Sequence, residues 1–486
     1  MSQQVDAVVV GGGIGGLVAA RTLIERGLRT VVLESSTRLG GPVRGGAFES
    51  VPRVPIDLGA ESFAARGTAV GELADELGLD VVAPAPLSAW GYAAGSAFPL
   101  PKAGVLGIPA VPWAADVRRA VGWAGALRAS LDRVLPRFVG SGAEDLGSLA
   151  RARLGVRTTE RLVAPVATGV HSAPLDRLDV AAVAPGLRDR FAVEGSLTRA
   201  VGALRAAAPA GSAVRGIDGG MHAVVEALAG QIAASAEFWT DSPVTDATGP
   251  IHTALRLGQE VVGIERSDDG GWLVRSRATA AGVAGGRGSL HTVTAPRLVV
   301  TAPGVGPLLE PWTGVVPAPE PGADVWLVTL LLDAPALDEA PRGSGVLVAP
   351  GATAGTEQVR AKALTHSTAK WPWLAARVRA AAGEGMHVVR LSYGRIGEET
   401  RPPDVAEAAR DASALLGVPV ADRVQDHLRQ RWDGALPPPT PAYRADVTAL
   451  SAAVGQIPGL AVTGGWVAGT GLAAIVAHAQ AAVNGL

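Results

Sequence analysis

The chain has no cysteine among its 486 residues. That removes disulfides, iron–sulfur clusters, thiolate zinc sites and any cofactor anchored through a thioether. It gives no support to an oxidising compartment. A surplus of either charge is also missing, with 43 Lys and Arg against 45 Asp and Glu. Without a basic surplus, no nucleic-acid partner is expected. The eight histidines are scattered, with no H-x-x-H or i,i+4 pairing, so no metal site is expected. No basic stretch precedes the first apolar segment, so no secretory leader is expected and the location reads as cytoplasmic. From Val447 to Leu486 there is no Asp, Glu, Lys or Arg. By charge alone that stretch could span a bilayer. Gly455, Pro458, Gly459, Gly464, Gly465, Gly469 and Gly471 interrupt it. It reads instead as a buried strand (Leu460 to Thr463), a glycine turn and a buried helix from Leu472.

Glycine and proline are plentiful, 63 and 35, yet apolar runs continue throughout, so the chain is not read as disordered. Its length suggests about three domains. Val5 to Val10 reads as a buried strand. Gly11, Gly13 and Gly16 follow as G-x-G-x-x-G, with Gly12, Ile14 and Gly15 between them. The first glycine permits a tight turn, the second lets backbone approach a pyrophosphate, and the third lets the next helix pack closely. That helix, about Ile14 to Arg26, offers phosphate its free N–H groups and positive dipole end. A second strand, Thr30 to Leu33, delivers Glu34, placed to accept from ribose hydroxyls. The motif sits in strand–turn–helix–strand–acid order, which makes it a dinucleotide-binding signature rather than a chance glycine turn.

Further along, the Gly40-Gly41 pair follows the acid by six residues, which a plain nicotinamide dehydrogenase has no need of, and Asp57 to Ala60 reads as a strand end and turn. A helix is expected over residues 68–78, and helix and loop over 143–205. Residues 113–138 repeat Val117, Val121, Leu127, Leu131, Val134 and Phe138 at helical spacing among arginines. This suits either a helix covering a core with a solvated arginine face or one lying on a membrane surface. Gly211 to Gly220 reads as a loop and 221–230 as a helix. Residues 251–300 alternate as strands, with a hairpin at Asp269-Gly270-Gly271. Strands are expected at Val325 to Asp333 and Met386 to Gly394, a helix at 403–416, and a rigid loop at Pro437 to Pro439 and Pro441.

The stretches "VVVGGGIGGLVAA", "LESSTRLGGPVRG", "DLGAESFAARGTAVGELADELGL", "AFPLPKAGVLGIP", "ATGVHSAPLDRLDVAAVAPGL", "DGGMHAVVEALA", "ALTHSTAKWPWL" and "VTGGWVAGTGL" together resemble the flavin amine oxidase-like superfamily. More narrowly, they resemble its protoporphyrinogen oxidase / coproporphyrinogen III oxidase family. The resemblance implies an α/β fold with an α+β substrate domain. A Rossmann-like FAD-binding domain is interrupted in sequence (1–85, 206–300 and 430–486), beside a mixed-sheet substrate domain (86–112 and 301–429) and a helical domain (113–205).

It implies noncovalent FAD, held by Gly11, Gly12, Gly13, Ile14, Gly15, Gly16 and Glu34 at the ADP half. Gly41, Pro42, Val43, Asp57, Leu58, Gly59 and Ala60 would line the pyrophosphate and flavin. Val261 would meet the adenine, and Trp432, Thr470, Gly471 and Leu472 would surround the isoalloxazine. Gly169, Val170 and His171 match a substrate-pocket turn, and Lys102 lies near that pocket. Arg44, Arg177, Lys362 and Lys370 are further candidates for substrate carboxylates. The implied partners are a tetrapyrrole substrate and molecular oxygen, with peripheral membrane contact as a candidate. The implied reaction aromatises a porphyrinogen to a porphyrin, six electrons in all, releasing hydrogen peroxide and favouring coproporphyrinogen III over protoporphyrinogen IX. It needs no catalytic side-chain dyad, because the flavin takes hydride. Another amine or polyene oxidase, or a noncatalytic flavin-binding partner, stays open.

Overall fold

The computed structural model describes residues 2–65, 67–207, 214–235, 245–246, 249–250, 254–279, 290–398, 401–435, 437–438 and 440–486. Its centre is a five-stranded parallel sheet in the order Leu255–Arg256, Thr30–Leu33, Ala7–Val10, Arg297–Val300 and Leu460–Val462. Parallel strands covered on both faces read as continuous apolar runs, and these do. Ala7, Val9 and Val32 face helices Ile14–Glu25, His222–Ser235 and Leu472–Asn484. Val8, Val10, Val31 and Leu33 face a second cluster built on Trp272, Val274 and Val293. Those last residues belong to a four-stranded sheet that ends in the hairpin Gln259–Arg266 and Trp272–Ala278.

A seven-stranded mixed sheet runs Val424–Ala435, Ala323–Asp333, Met386–Tyr393, Ala363–His366, Gly345–Val348, Ala89–Ala93 and Ser96–Pro99. One face buries Val328, Leu330, Leu364, Val389 and Leu391 against helix Val405–Leu416. The other meets Phe48, Val51, Ile56 and Leu58, which arrive from the segment following the parallel sheet's second strand. A third body of helices, including Leu146–Leu154, Ala164–His171 and Leu197–Ala207, closes on its own core.

Three expectations change. Residues 214–217, expected as loop, form a strand between Phe63–Ala64 and Val81–Val82, while 211–213 lie outside the described residues. Pro441 does not extend a rigid loop. It is the first residue of helix Pro441–Val454, where its missing N–H costs nothing, and Thr440 caps Tyr443 N; residue 439 lies outside the described residues. The helix over 113–138 runs only from Ala115 to Ser130 and is broken at Gly122 (φ 71°, ψ 174°). A helical face persists only while the helix is unbroken. Val117 and Val121 before or at the break are buried, but beyond it Gly125, Ala126 and Ala129 turn inward instead. Leu127, Leu131, Val134 and Phe138 are left exposed. The charge-free C-terminal stretch folds as a buried strand and helix, and no helix among the described residues is long and apolar enough to cross a membrane.

The helical body is pinned by a fully buried ion pair, Asp132–Arg153, at 2.6 Å. Asp132 also accepts from Ser196 Oγ, Leu197 N and Thr198 N, and Arg153 also donates to the Pro136 and Gly195 carbonyls. Removing one partner leaves a buried charge uncompensated, which costs about 3–5 kcal/mol. Arg153→Met is therefore expected to lower the thermal midpoint followed by circular dichroism. The double variant with Asp132→Asn should recover part of the loss.

Candidate functional site

Of the three motif glycines at the head of the first helix, two are needed for packing and one faces open space. A Cβ on Gly11 (φ +106°) would lie 2.5 Å from Thr301 Oγ1, and one on Gly16 would lie 1.9 Å from Gly11 O. A Cβ on Gly13 would meet nothing within 4 Å. Gly13 is the N-cap of a 12-residue helix with no side-chain cap and no acid in its first turn. Its leading N–H groups are therefore left for an anion. Glu34 stands beside this turn. One carboxylate oxygen accepts from Gly12 N at 2.6 Å and the other from Ser36 N at 2.8 Å. Gln259 N donates to Glu34 O, so the strand carrying Val261 runs alongside.

A second turn closes on the first. Gly40 N donates to Gly12 O at 2.8 Å, and Gly40 and Gly41 take φ of +93° and +57°. The chain then pairs with the later segment: Leu58 N donates to Arg44 O and Ala60 N to Pro42 O. A Cβ on Gly59 would lie 1.8 Å from Pro42 O, so backbone packs directly on backbone there. Trp432 Nε1 donates to Leu58 O at 2.9 Å, and Arg38 lies 5.3 Å from the Trp432 ring centre. Arg38 also donates to Gly41 O; burial, then the charge of Arg44, lowers its pKa.

The C-terminal glycine turn completes the wall. A Cβ on Gly15 would lie 3.0 Å from Gly464 Cα, and one on Gly464 would lie 2.5 Å from Thr301 O. Thr470, Gly471 and Leu472 lead into helix Leu472–Asn484, which like the first helix has a glycine N-cap, no side-chain cap and no acid in its first turn. Direct contacts thus join Gly11 to Gly16 with Glu34, the Gly40–Val43 turn with Gly12, Gly59 and Ala60, and Leu58 with Trp432, while Leu472 packs in one cluster with Ile14 and Val43; Val261 lies two residues beyond Gln259, and Thr470 and Gly471 directly precede Leu472. Asp57 has a further task. Its carboxylate accepts from Met221 N, His222 N and His222 Nδ1, and so caps helix His222–Ser235.

Gly169, Val170 and His171 end helix Ala164–His171, which stops at Ser172 in a left-handed conformation (φ 54°). Gly169 packs near Leu347 and Val170 is exposed. Burial lowers the pKa of His171. Beneath this turn Lys362, 2% exposed, donates to Ser172 Oγ and to Gly394 O. Burial and then the neighbouring Arg395 charge pull its ammonium down to about 7. Lys102 is exposed, with its backbone N–H on Asp116. Arg177 pairs with Glu320, Arg44 with Gln430, and Lys370 with Glu61.

Three polar residues of the site were missed by sequence reasoning: Arg38, Glu61 and Arg390. Arg390 left a trace, as a lone cation in the apolar strand Met386–Tyr393. Its guanidinium donates to Asp57 O and Gly59 O and pairs with Glu61 at 2.7 Å.

Residues 14–480 match the flavin containing amine oxidoreductase family. The chain is 31% identical to coproporphyrinogen III oxidase of Mycobacterium tuberculosis (strain ATCC 25618 / H37Rv) over 98% of this chain and 96% of that one. It is 30% identical to the protein of the same name from Mycobacterium leprae, over 98% and 97%. Among solved structures it resembles a protein from Exiguobacterium sp. 255-15, provisionally named protoporphyrinogen oxidase. That match has a TM-score of 0.73 and 22% identity, and covers 100% of this chain and 98% of the other. Cyclohexylamine oxidase from Brevibacterium oxydans shares the fold at a TM-score of 0.63 and 14% identity, over 99% and 98%. The chain belongs to the flavin containing amine oxidoreductase family, within its protoporphyrinogen oxidase and coproporphyrinogen III oxidase group.

Proposed function

We propose that the flavin implied by family membership is FAD, bound noncovalently, and that the enzyme uses oxygen to aromatise coproporphyrinogen III in haem biosynthesis. The observation that carries the substrate is the full-length likeness to coproporphyrinogen III oxidases. The residues present fit FAD. Two uncapped helix heads and the open face of Gly13 suit a pyrophosphate, and Glu34 suits a ribose. With no cysteine, a thioether link is ruled out. The three-part division given above (1–85, 206–300 and 430–486; 86–112 and 301–429; 113–205) goes with this reading.

When bound, the flavin supplies the acceptor for hydride from a carbon bridge of the substrate. The chain's task is to orient the macrocycle and keep water out, because conjugation drives the reaction. In this reading Asp57 to Ala60 and Trp432 wall one side, while Gly169, Val170 and His171 form the opposing turn. Lys102 meets a substrate carboxylate.

Glu34→Ala is expected to weaken FAD retention about tenfold through the lost ribose acceptor, measured by flavin release on dilution. Gly13→Val should abolish retention. Its backbone φ of −69° and the open space around it let the variant fold, so loss of flavin from a folded protein is the expected result.

Coproporphyrinogen III, with four carboxylates, should turn over faster than protoporphyrinogen IX with two, read as porphyrin fluorescence with peroxide release. Lys102→Ala should narrow that gap roughly two- to fivefold, chiefly through KM, as befits an exposed charge. Equal preference removes the coproporphyrinogen assignment. Oxidation of amines or polyenes instead, or no turnover with FAD bound, selects one of the two other readings.

The exposed apolar row beyond Gly122 supports peripheral membrane contact. Val134 and Phe138 are each 77% exposed and Trp123 is 66% exposed. Arg118 lies 4.6 Å from the Trp123 ring centre and 5.8 Å from that of Trp113. Exposed aromatics edged by arginine suit the headgroup level of an anionic bilayer. Co-sedimentation with anionic vesicles is expected, weakened by salt and by Trp123→Ser/Phe138→Ser.

A further inference from the structure

Three charged side chains meet beside the Asp57–Ala60 turn. The Glu61 carboxylate accepts from Lys370 Nζ at 2.5 Å and from Arg390 Nη2 at 2.7 Å. Their side chains are 13%, 16% and 12% exposed. Arg390 Nη1 reaches onward to Asp57 O at 3.1 Å and Gly59 O at 2.9 Å. It projects from the strand Met386–Tyr393, across from Thr365 and Thr329, on the sheet face that meets this segment. Burial raises the Glu61 carboxyl, but the charges of Arg390 and Lys370 outweigh it and hold it at about 2. The cluster therefore sets one carboxylate against two basic side chains.

That surplus matters because the acid whose backbone Arg390 touches, Asp57, has its carboxylate engaged elsewhere. The Asp57 carboxylate is committed to the head of helix His222–Ser235 and to His222. Burying a cation that lacks its own counter-ion is costly. A single cation would have been enough to satisfy Glu61 and hold the turn. The remaining positive charge lies behind a loop whose other side is the flavin wall in the reading given above.

Resting on that reading, we propose that Lys370, Glu61 and Arg390 set the electron affinity of the bound flavin. The surplus positive charge stabilises the negative charge that the flavin gains with electrons, and Glu61 limits how far. The cluster touches the loop rather than the substrate, so these are positioning residues acting through electrostatics.

The test uses the purified holoprotein. Flavin is first released by heat and identified by chromatography. Sulfite is then titrated into wild type, Glu61→Gln, Lys370→Gln and the double variant. The sulfite lone pair forms a sulfur–nitrogen bond to the flavin, and the displaced pair remains on the ring as negative charge. No outside oxidant or reductant is needed. A unit charge across one loop is worth on the order of tenfold in such an equilibrium. Glu61→Gln is expected to bind sulfite about tenfold more tightly, and Lys370→Gln about tenfold more weakly. The double variant restores the net charge and should return near wild type. Midpoint potentials should move the same way, about 30 mV per tenfold for two electrons. With FAD bound, shifts of the same sign in both single variants, or no shift beyond twofold in either, overturn the proposal and leave the FAD reading intact. A protein that carries no FAD overturns both.

Discussion

Backbone packed on backbone, at the carboxyl ends of the parallel strands, is the constraint from which the rest of the site follows. Thr301 stands at its centre. Its hydroxyl donates to Val10 O and Gly11 O, and its carbonyl lies where a side chain on Gly464 would have to go. Gly16 and Gly11 are in the same close contact, and Gly15 abuts Gly464. No further side chain fits in these gaps, so the first and last glycine turns are held at fixed distances by main chain and the Thr301 hydroxyl. Two helix heads then open on the same region without caps of their own. Helix heads left bare inside a structure require an anion or water to satisfy them. An arrangement that gives up two sets of caps in one place is organised around a ligand.

The seven-stranded sheet meets this region at one short loop, Asp57 to Glu61, and through Gln430 and Trp432 of its edge strand, which contact Arg44 and Arg38. Asp57 to Glu61 is held from three directions: by Pro42 and Arg44 along its backbone, by Trp432 and Arg390 from the sheet, and by helix His222–Ser235 through the Asp57 carboxylate. Elements far apart in sequence therefore share one fixed point. A shift of the sheet would strain this loop, which couples the position of the sheet to that of the glycine turns.

What was legible in the sequence was local. The parallel strands read as apolar runs because both of their faces are covered, and the glycine turn reads from spacing because only glycine fits there. The helix break at Gly122 was not legible. Glycine is tolerated inside helices, and only the packing of Gly125, Ala126 and Ala129 shows that the helix turns there. The helix beginning at Pro441 was hidden among prolines whose stiffness suggested loop, although the first helical position is where proline fits. Asp57 was identified as a site residue, yet its carboxylate serves a helix that starts 165 residues later. Arg390, on a strand of the seven-stranded sheet, meets Glu61 on a loop far back in the chain, and no spacing rule reaches that far.

The same geometry sorts the cations singled out for substrate carboxylates. Lys362 is sealed under Ser172 and Gly394, and Lys370 holds Glu61. Arg177 pairs with Glu320, and Arg44 donates to Gln430. Lys362 and Lys370, satisfied in enclosed settings, gain little from a new carboxylate, since each must first abandon a partner and leave that partner unpaired, whereas the exposed Arg177–Glu320 pair is given up more cheaply. Lys102 carries no such commitment among the described residues: only its backbone N–H is bonded, and its side chain is exposed. An exposed lysine offers modest energy and little direction. Orientation of a large planar substrate must then come mainly from the walls. In the proposed reading, the rigid placement of the Asp57–Ala60 loop and the Gly169–His171 turn counts for more than any one charge.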